Sequence, residues 1–198
     1  RLIRDSSGTI TLLDIRTANI GSRRTQGLEV SLRGGFDALG GTISMGMDGT
    51  MMLKRREKLL PAAPYSASLI GVFTYAGDLA LRWKHNAYIT WSNETWNVSF
   101  SQLFRNGYAN QALPGIANGT VVRPDYNPRV SSYITYNLAV GMRINEQFSL
   151  NMGVRNLFDT DPPFAITYDS NTGAGSSWEP RVADPRGRSF TMSATVKF

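Results

Sequence analysis

A chain of 198 residues with 41% hydrophobic residues and no cysteine is long enough for one domain and too apolar to stay disordered. Its mean hydropathy is −0.23. No stretch approaches the ~18 uninterrupted apolar residues of a membrane-crossing helix, which excludes helical spans but not barrel strands, whose two faces average out. The net charge is +6. Its clearest basic run, Lys54-Arg55-Arg56-Glu57-Lys58, is expected between strands, where it reads as a solvated loop near charged headgroups in preference to a nucleic-acid site. Arg1 to Asp5 have no apolar core behind them, so no signal peptide is visible, and Arg1 begins in mid-pattern, which points to a fragment.

Period-2 alternation, the mark of a strand with two unlike faces, runs through most of the chain. Thr9 to Asn19 is its weakest instance. Gly27 to Gly35 sets Leu28, Val30 and Leu32 against Glu29, Ser31 and Arg33. Thr42 to Leu53 places Ile43, Met45, Met47, Met51 and Leu53 on one side, and Trp83 to Trp91 is a short segment of the same kind. Trp96, Val98, Phe100 and Phe104 then oppose Thr95, Asn97, Ser99, Ser101 and Arg105. Ile134 to Ile144 on even numbers oppose Thr135, Asn137, Ala139, Gly141 and Arg143. Phe148, Leu150, Met152 and Val154 oppose Gln147, Ser149, Asn151, Gly153 and Arg155. The last segment, Phe190 to Phe198 on even numbers against Ser189 to Lys197 on odd, has no exception. No helical period of useful length occurs.

Connections alternate in length. Phe36–Gly40, Ser92–Glu94 and Asn145–Gln147 are short, whereas 54–82, 107–129 and 159–186 are long. Short turns on one side and long loops on the other are the plan of an outer-membrane barrel. All nine prolines lie outside the strand cores, as a hydrogen-bonded ladder requires. Ser68 to Tyr75 reads either as loop or as part of a hairpin within the loop, since a lone crossing strand there would invert everything upstream.

Alternation alone does not say which face meets what, because a soluble barrel with an apolar interior gives the same pattern. The polar phase is mostly Ser, Thr, Asn and Gly, where a water-facing exterior carries more Lys and Glu. Aromatics (Trp83, Trp91, Trp96, Tyr133, Phe148, Phe158, Phe190 and Phe198) gather near strand ends, like the girdles at membrane interfaces. Both features favour a transmembrane barrel with its apolar face in lipid.

Val154-Arg155-Asn156-Leu157-Phe158-Asp159 followed by Pro162-Pro163 resembles the penultimate strand and last loop of TonB-dependent outer-membrane receptors. The ending Gly187-Arg188-Ser189-Phe190 through Lys197-Phe198 is similar to the closing strand of that family, and its terminal aromatic to the signal read by the barrel-assembly machinery. Asn19-Ile20-Gly21 with Thr25-Gln26-Gly27-Leu28-Glu29, and Trp83-Lys84-His85-Asn86 leading to Asn106-Gly107-Tyr108, match the family in the same order.

The resemblance implies an all-β fold: residues 1–198 as the C-terminal part of an antiparallel transmembrane β-barrel. About eight strands at ~25 residues each would be the last third of a ~22-stranded wall of about 550 residues, with the plug domain absent from this chain. It further implies outer-membrane uptake of a scarce ligand (siderophore, vitamin, sugar or peptide) with energy delivered through TonB, a periplasmic C-terminus, and no cofactor. The partners implied are outer-membrane lipid, TonB through the missing N-terminal part, the barrel-assembly machinery and a small-molecule or oligomeric nutrient ligand, with no nucleic acid. Lumen-facing residues that would line the ligand path are Lys84, Asn86, Tyr88, Arg105, Asn137, Arg143 and Arg155, with Arg105 foremost at the end of its strand. Gly187, Arg188, Phe190 and Phe198 would form the closure and assembly signal.

Three other readings are weighed. An enzyme needs a base beside a nucleophile and an orienting carboxylate, and the single histidine, His85, falls on the apolar phase with Trp83, Ala87, Ile89 and Trp91. Calcium binding by Asp159 and Asp161, or by Asp169 and Asn171, lacks the full loop of a calcium hand. A complete small barrel or binding barrel of about eight strands is the alternative architecture.

Overall fold

The computed structural model describes residues 2–13, 21–58, 60–73, 79–168 and 175–197. A first small hairpin joins β1 (Leu2–Arg4) to β2 (Ile10–Leu13). The principal sheet contains β3 (Ser22–Ala38), β4 (Gly41–Lys58), β5 (Trp83–Ser92) and β6 (Trp96–Arg105). The loop that follows β6 holds β7 (Tyr108–Ala109), α1 (Pro114–Ala117) and β8 (Arg129–Val130). The sheet is completed by β9 (Tyr133–Arg143), β10 (Phe148–Arg155) and β11 (Ser189–Val196). Its order, β11-β10-β9-β6-β5-β4-β3, is a meander of seven antiparallel strands that is open among the described residues, with β3 and β11 at its edges. The architecture is thus the expected all-β one, as part of a barrel wall.

Three expectations are corrected in detail. The weak segment Thr9–Asn19 enters the structure only as β2, paired with β1 outside the principal sheet; residues 14–20 lie outside those described. The turn expected at Phe36–Gly40 is tighter, because β3 runs on to Ala38 and leaves only Leu39 and Gly40, at φ of 55° and 66°. Two successive positive φ values suit the right-handed twist of a two-residue hairpin. The basic run Lys54–Lys58 is not a loop: it forms the last five residues of β4, paired with Ser22–Gln26. Of the segment Ser68–Tyr75, residues 68–73 carry no strand beyond the isolated parallel bridge from Val72 to Ala109, and residues 74 and 75 lie outside those described.

The other two short turns share one construction. Asn93 Oδ1 accepts the backbone N–H of Thr95 and Trp96 at 2.9 and 2.7 Å. Asn145 Oδ1 likewise accepts those of Gln147 and Phe148 at 3.0 and 2.7 Å. An Asn side chain standing in for a backbone carbonyl makes such reversals cheap, and each is followed by an aromatic that opens the next strand.

Register decides the two faces. The pairs Leu28↔Met51, Val30↔Gly49, Leu32↔Met47 and Phe36↔Ile43 lie on one face, and Glu29↔Thr50, Ser31↔Asp48 and Arg33↔Gly46 on the other. The apolar face is bare: Leu32, Phe190 and Met192 are 58%, 72% and 74% exposed. The long loops instead fold over the polar face. Tyr133 and Thr135 on that face are buried, and the Tyr133 hydroxyl donates to the Asp184 carbonyl at 3.2 Å. A water-soluble barrel would bury its apolar phase, whereas a bare apolar band of this extent requires an apolar surrounding. From Phe36 to Leu28 the band is about 27 Å along the strand, or about 21 Å in height at a tilt of about 40°, near the ~25 Å expected for lipid.

The loops have a core of their own, formed by Leu81, Tyr108, Val130, Tyr133, Ala165, Val182 and Ala183, with Phe73 and Leu79 against it. Residues from three loops and one strand end are thereby tied into a cap.

Candidate functional site

Successive pairings align side chains of the polar face into rungs. At the loop end the first rung is Glu29–Thr50–Lys84–Arg105–Tyr133. The next is Ser31–Asp48–Asn86–Leu103–Thr135, followed by Arg33–Gly46–Tyr88–Ser101–Asn137. Below these the polar face carries small residues: Ser44, Thr90, Ser99, Ala139, Gly153 and Thr191 share one rung. Charge is therefore concentrated under the loops, and small residues hold the lower lumen open.

Two clefts meet at Arg105. One, of ≈ 550 Å³, is bordered by Glu29, Asp48, Lys84, Asn86 and Arg105. The other, of ≈ 370 Å³, lies under the last loop and is bordered by Arg105, Tyr133, Asn137, Arg155, Arg181 and Arg186. Arg105 donates through Nη1 to its neighbour's carbonyl, Phe104 O, at 3.0 Å, and no carboxylate pairs with it among the described residues. Glu29 stands on the same rung, and Asp48 on the next is already engaged. Asp48 holds Arg33 at 2.6 Å and the Ser31 hydroxyl at 2.8 Å, and the Arg33 guanidinium lies 5.9 Å from the Tyr88 ring centre. Tyr88 itself lies flat over Gly46, where a Cβ would stand 2.7 Å from the ring.

Six of the seven expected lumen residues, Lys84, Asn86, Tyr88, Arg105, Asn137 and Arg155, fall within these three rungs and the adjoining end of β10. Arg143 does not: it is six residues from Asn137, about 20 Å along β9, beside the short turns with Glu94, Thr95 and Ser149. Asp48 and Arg33 organise the face around Tyr88; Arg33 was legible in the polar phase of its strand, whereas Asp48, a charge in the polar phase of the Met-rich β4, was not singled out.

The last loop adds a second layer of fixed charge. Glu179, 4% exposed, takes Arg181 in a fork at 2.7 and 2.8 Å. Burial pushes its carboxyl up, but the hydrogen bonds from Arg181 more than offset this and hold it below its ordinary value. Asp184 holds Arg186 at 2.6 Å, and hydrogen bonds from Arg186 lower its carboxyl to about 2. Arg181 also lies 5.4 Å from the Phe73 ring centre, linking this loop to the first long one.

Gly187 and Arg188 anchor the end of that loop. Asn156 and Asp159 both take positive φ, 51° and 57°, and the buried Asn156 exchanges two hydrogen bonds with Thr160, each 2.9 Å. Asp159 Oδ1 then accepts the Arg188 N–H at 2.7 Å. Gly187, at φ 67°, passes so close that a Cβ there would lie 2.9 Å from the same oxygen. The two halves of the motif thus meet in space, start of loop to end of loop. Of the two aromatics expected to mark closure, Phe190 opens outward on β11 and Phe198 lies outside the described residues, as do Asn19, Ile20, Asp169 and Asn171.

His85 is on the outward face, as its phase requires, in a chain of polar contacts. Trp83 Nε1–H donates to His85 Nδ1 at 2.8 Å, His85 Nε2 meets Gln102 Oε1 at 2.8 Å, and Gln102 Nε2 donates to the Tyr136 hydroxyl at 2.9 Å. Phe104, Phe100 and Phe158 flank them through ring contacts of 5.1–5.5 Å. This is an aromatic girdle at the loop end, with its polar atoms mutually satisfied.

A family model described as the β-barrel of TonB-dependent receptor-like proteins matches residues 2–157. Among solved structures, the ferric enterobactin receptor of Pseudomonas aeruginosa, as a mutant in complex with enterobactin, superposes with a TM-score of 0.56 at 21% identity, covering 88% of this chain and 22% of that one. The ferric-catecholate import receptor Fiu of E. coli K12 gives a TM-score of 0.50 at 14% identity, over 100% of this chain and 23% of that one. The chain therefore spans less than a quarter of the solved structures it matches. No curated protein sequence matches it.

Proposed function

The chain belongs to the TonB-dependent receptor-like β-barrel family, and from that premise we propose that the protein carrying it takes up a scarce ligand across the outer membrane with energy delivered through TonB. The residues described here supply wall, loops and the polar lining of the entrance; the role is transport, not enzymatic turnover. The C-terminal strand ends on the periplasmic side and is handled there by the barrel-assembly machinery, a direction supported by the short turns at that end of the sheet and the long loops at the other.

One observation carries the reading of the site: Lys84 and Arg105 stand on the upper polar face without an ion pair among the described residues, Arg155 lies near an Asp184 already held by Arg186, and Glu29 is the one acid on the same rung. Such a field favours an anionic ligand. The two named structural neighbours are a ferric enterobactin receptor and a ferric-catecholate import receptor, so an anionic iron chelate is the first candidate.

The test uses the full-length protein and a ferric catecholate as probe. Arg105→Gln should weaken equilibrium binding by about ten- to a hundred-fold, the worth of one charge-assisted contact. Arg143→Gln, far down the wall, should leave it unchanged. Equal affinity of wild type and both variants would remove Arg105 from the ligand path.

A further inference from the structure

The outward face of β3 and β4 changes character above the apolar band. On β3 the alternation is unbroken, so Gln26, Arg24 and Ser22 project on the same side as Leu28, Val30 and Leu32. On β4 a bulge intervenes: Gly27 pairs with Met52 and Gln26 with Lys54, leaving Leu53 as the extra residue. From that point Lys54, Arg56 and Lys58 face outward with Gln26, Arg24 and Ser22.

The two faces of this one ribbon treat charge oppositely. Inward, Glu57 takes Arg23 at 2.7 Å and lies 3.8 Å from Arg55. Outward, Arg24 stands directly opposite Arg56, with Lys54 and Lys58 on the neighbouring pairs and no carboxylate against any of the four among the described residues. Like charges placed directly across a strand pair are unfavourable unless something neutralises them. Tyr65 accepts only part of this: the Arg24 guanidinium lies 4.4 Å and Lys58 Nζ 5.7 Å from its ring centre. A guanidinium over a ring still has N–H donors to offer an oxyanion.

The height of the cluster names its occupant. Arg24 is four residues beyond Leu28, about 14 Å along the strand and about 10 Å in height at a tilt of about 40°. Arginine and lysine side chains reach back several ångströms toward the interface. Their charged ends therefore sit at the level of lipid headgroups, over acyl chains that would lie on Leu28, Met51 and Val30. We infer that Arg24, Lys54 and Arg56 form an outward-facing site for the phosphate groups of a membrane lipid headgroup in the leaflet on the loop side. This rests on the apolar face meeting lipid and is independent of what the receptor transports.

The full-length protein in detergent would be titrated with a diphosphorylated, acylated diglucosamine lipid, with its dephosphorylated form and with inorganic phosphate, and bound lipid read by native mass spectrometry. Wild type should retain the phosphorylated lipid in clear preference to the dephosphorylated one, with inorganic phosphate failing to displace it. Substituting Arg24, Lys54 and Arg56 together by Gln should cost on the order of a hundred-fold, at about a factor of five per cation. Removing the exposed loop cations Arg123 and Arg129 should cost nothing. Equal retention of both lipids by wild type would overturn the proposal without any variant. So would an unchanged affinity in a triple variant that still shows the heat-dependent gel shift of a folded barrel. Displacement by millimolar inorganic phosphate would overturn it in favour of a free-anion site. Loss of the heat-dependent shift in wild type itself would instead count against the membrane reading.

Discussion

Asn156, Asp159 and Gly187 all sit at positive φ, a region that ordinary side chains enter only at a cost of about 1–2 kcal/mol. Asn and Asp tolerate it because a short polar side chain can bond locally, and here both do, to Thr160 and to the Arg188 N–H. Gly187 has no such compensation and needs none. Gly187→Ala would combine the backbone cost with a Cβ pressed against the Asp159 carboxylate. It should lower the stability of the full-length protein in urea by about 2 kcal/mol or more. Asp159→Asn, which keeps an acceptor for Arg188, should cost less. Equal stability of wild type and Gly187→Ala would mean that the loop base is not held by this contact. In the sequence these residues were visible only as a familiar spelling; their shared purpose, closing a long loop at its base, is a matter of proximity between positions 28 residues apart (159 to 187).

At the scale of the strand, alternation was legible from Gly27 onward because each strand meets unlike surroundings on its two faces. Gln102 stands on the apolar phase of β6, and His85 and Tyr136 on either side of it account for its place there. The bulge at Leu53 was not legible at all. Continued from Met51, strict period 2 puts Leu53, Arg55 and Glu57 on the lipid face and Lys54, Arg56 and Lys58 in the lumen. One extra residue exchanges the two sets. Deleting Leu53 should remove the bulge while keeping Gln26 paired with Lys54, so that Lys54, Arg56 and Lys58 stay outward and the Arg23–Glu57 pair stays on the lumen side. The expected result is a folded fraction in the outer membrane close to that of wild type, scored by the heat-dependent gel shift. A markedly smaller folded fraction would show that the bend imposed by the bulge is itself required at the upper ends of β3 and β4.

At the scale of the whole molecule, the described sheet ends in two unpaired edges, β3 and β11. In a bilayer each unpaired backbone group costs several kcal/mol, so a wall must close. These 198 residues alone should give no heat-resistant band in liposomes, whereas the same segment within the full-length protein should; a folded, heat-modifiable band from the segment alone would revive the small-barrel architecture. Seven of the eight expected strands, the face polarity, the turns at Ser92–Glu94 and Asn145–Gln147 and the loop-end placement of Arg105 followed from the sequence by itself, since each depends on a local period or a local breaker. Three things waited for the tertiary structure. The inward fold of the loops around Tyr108, Val130 and Tyr133 depends on contacts between distant segments, as does the meeting of Asp159 with Gly187. The outward turn of Arg24, Lys54 and Arg56 depends on register between two strands, and register belongs to the pair and to neither strand alone.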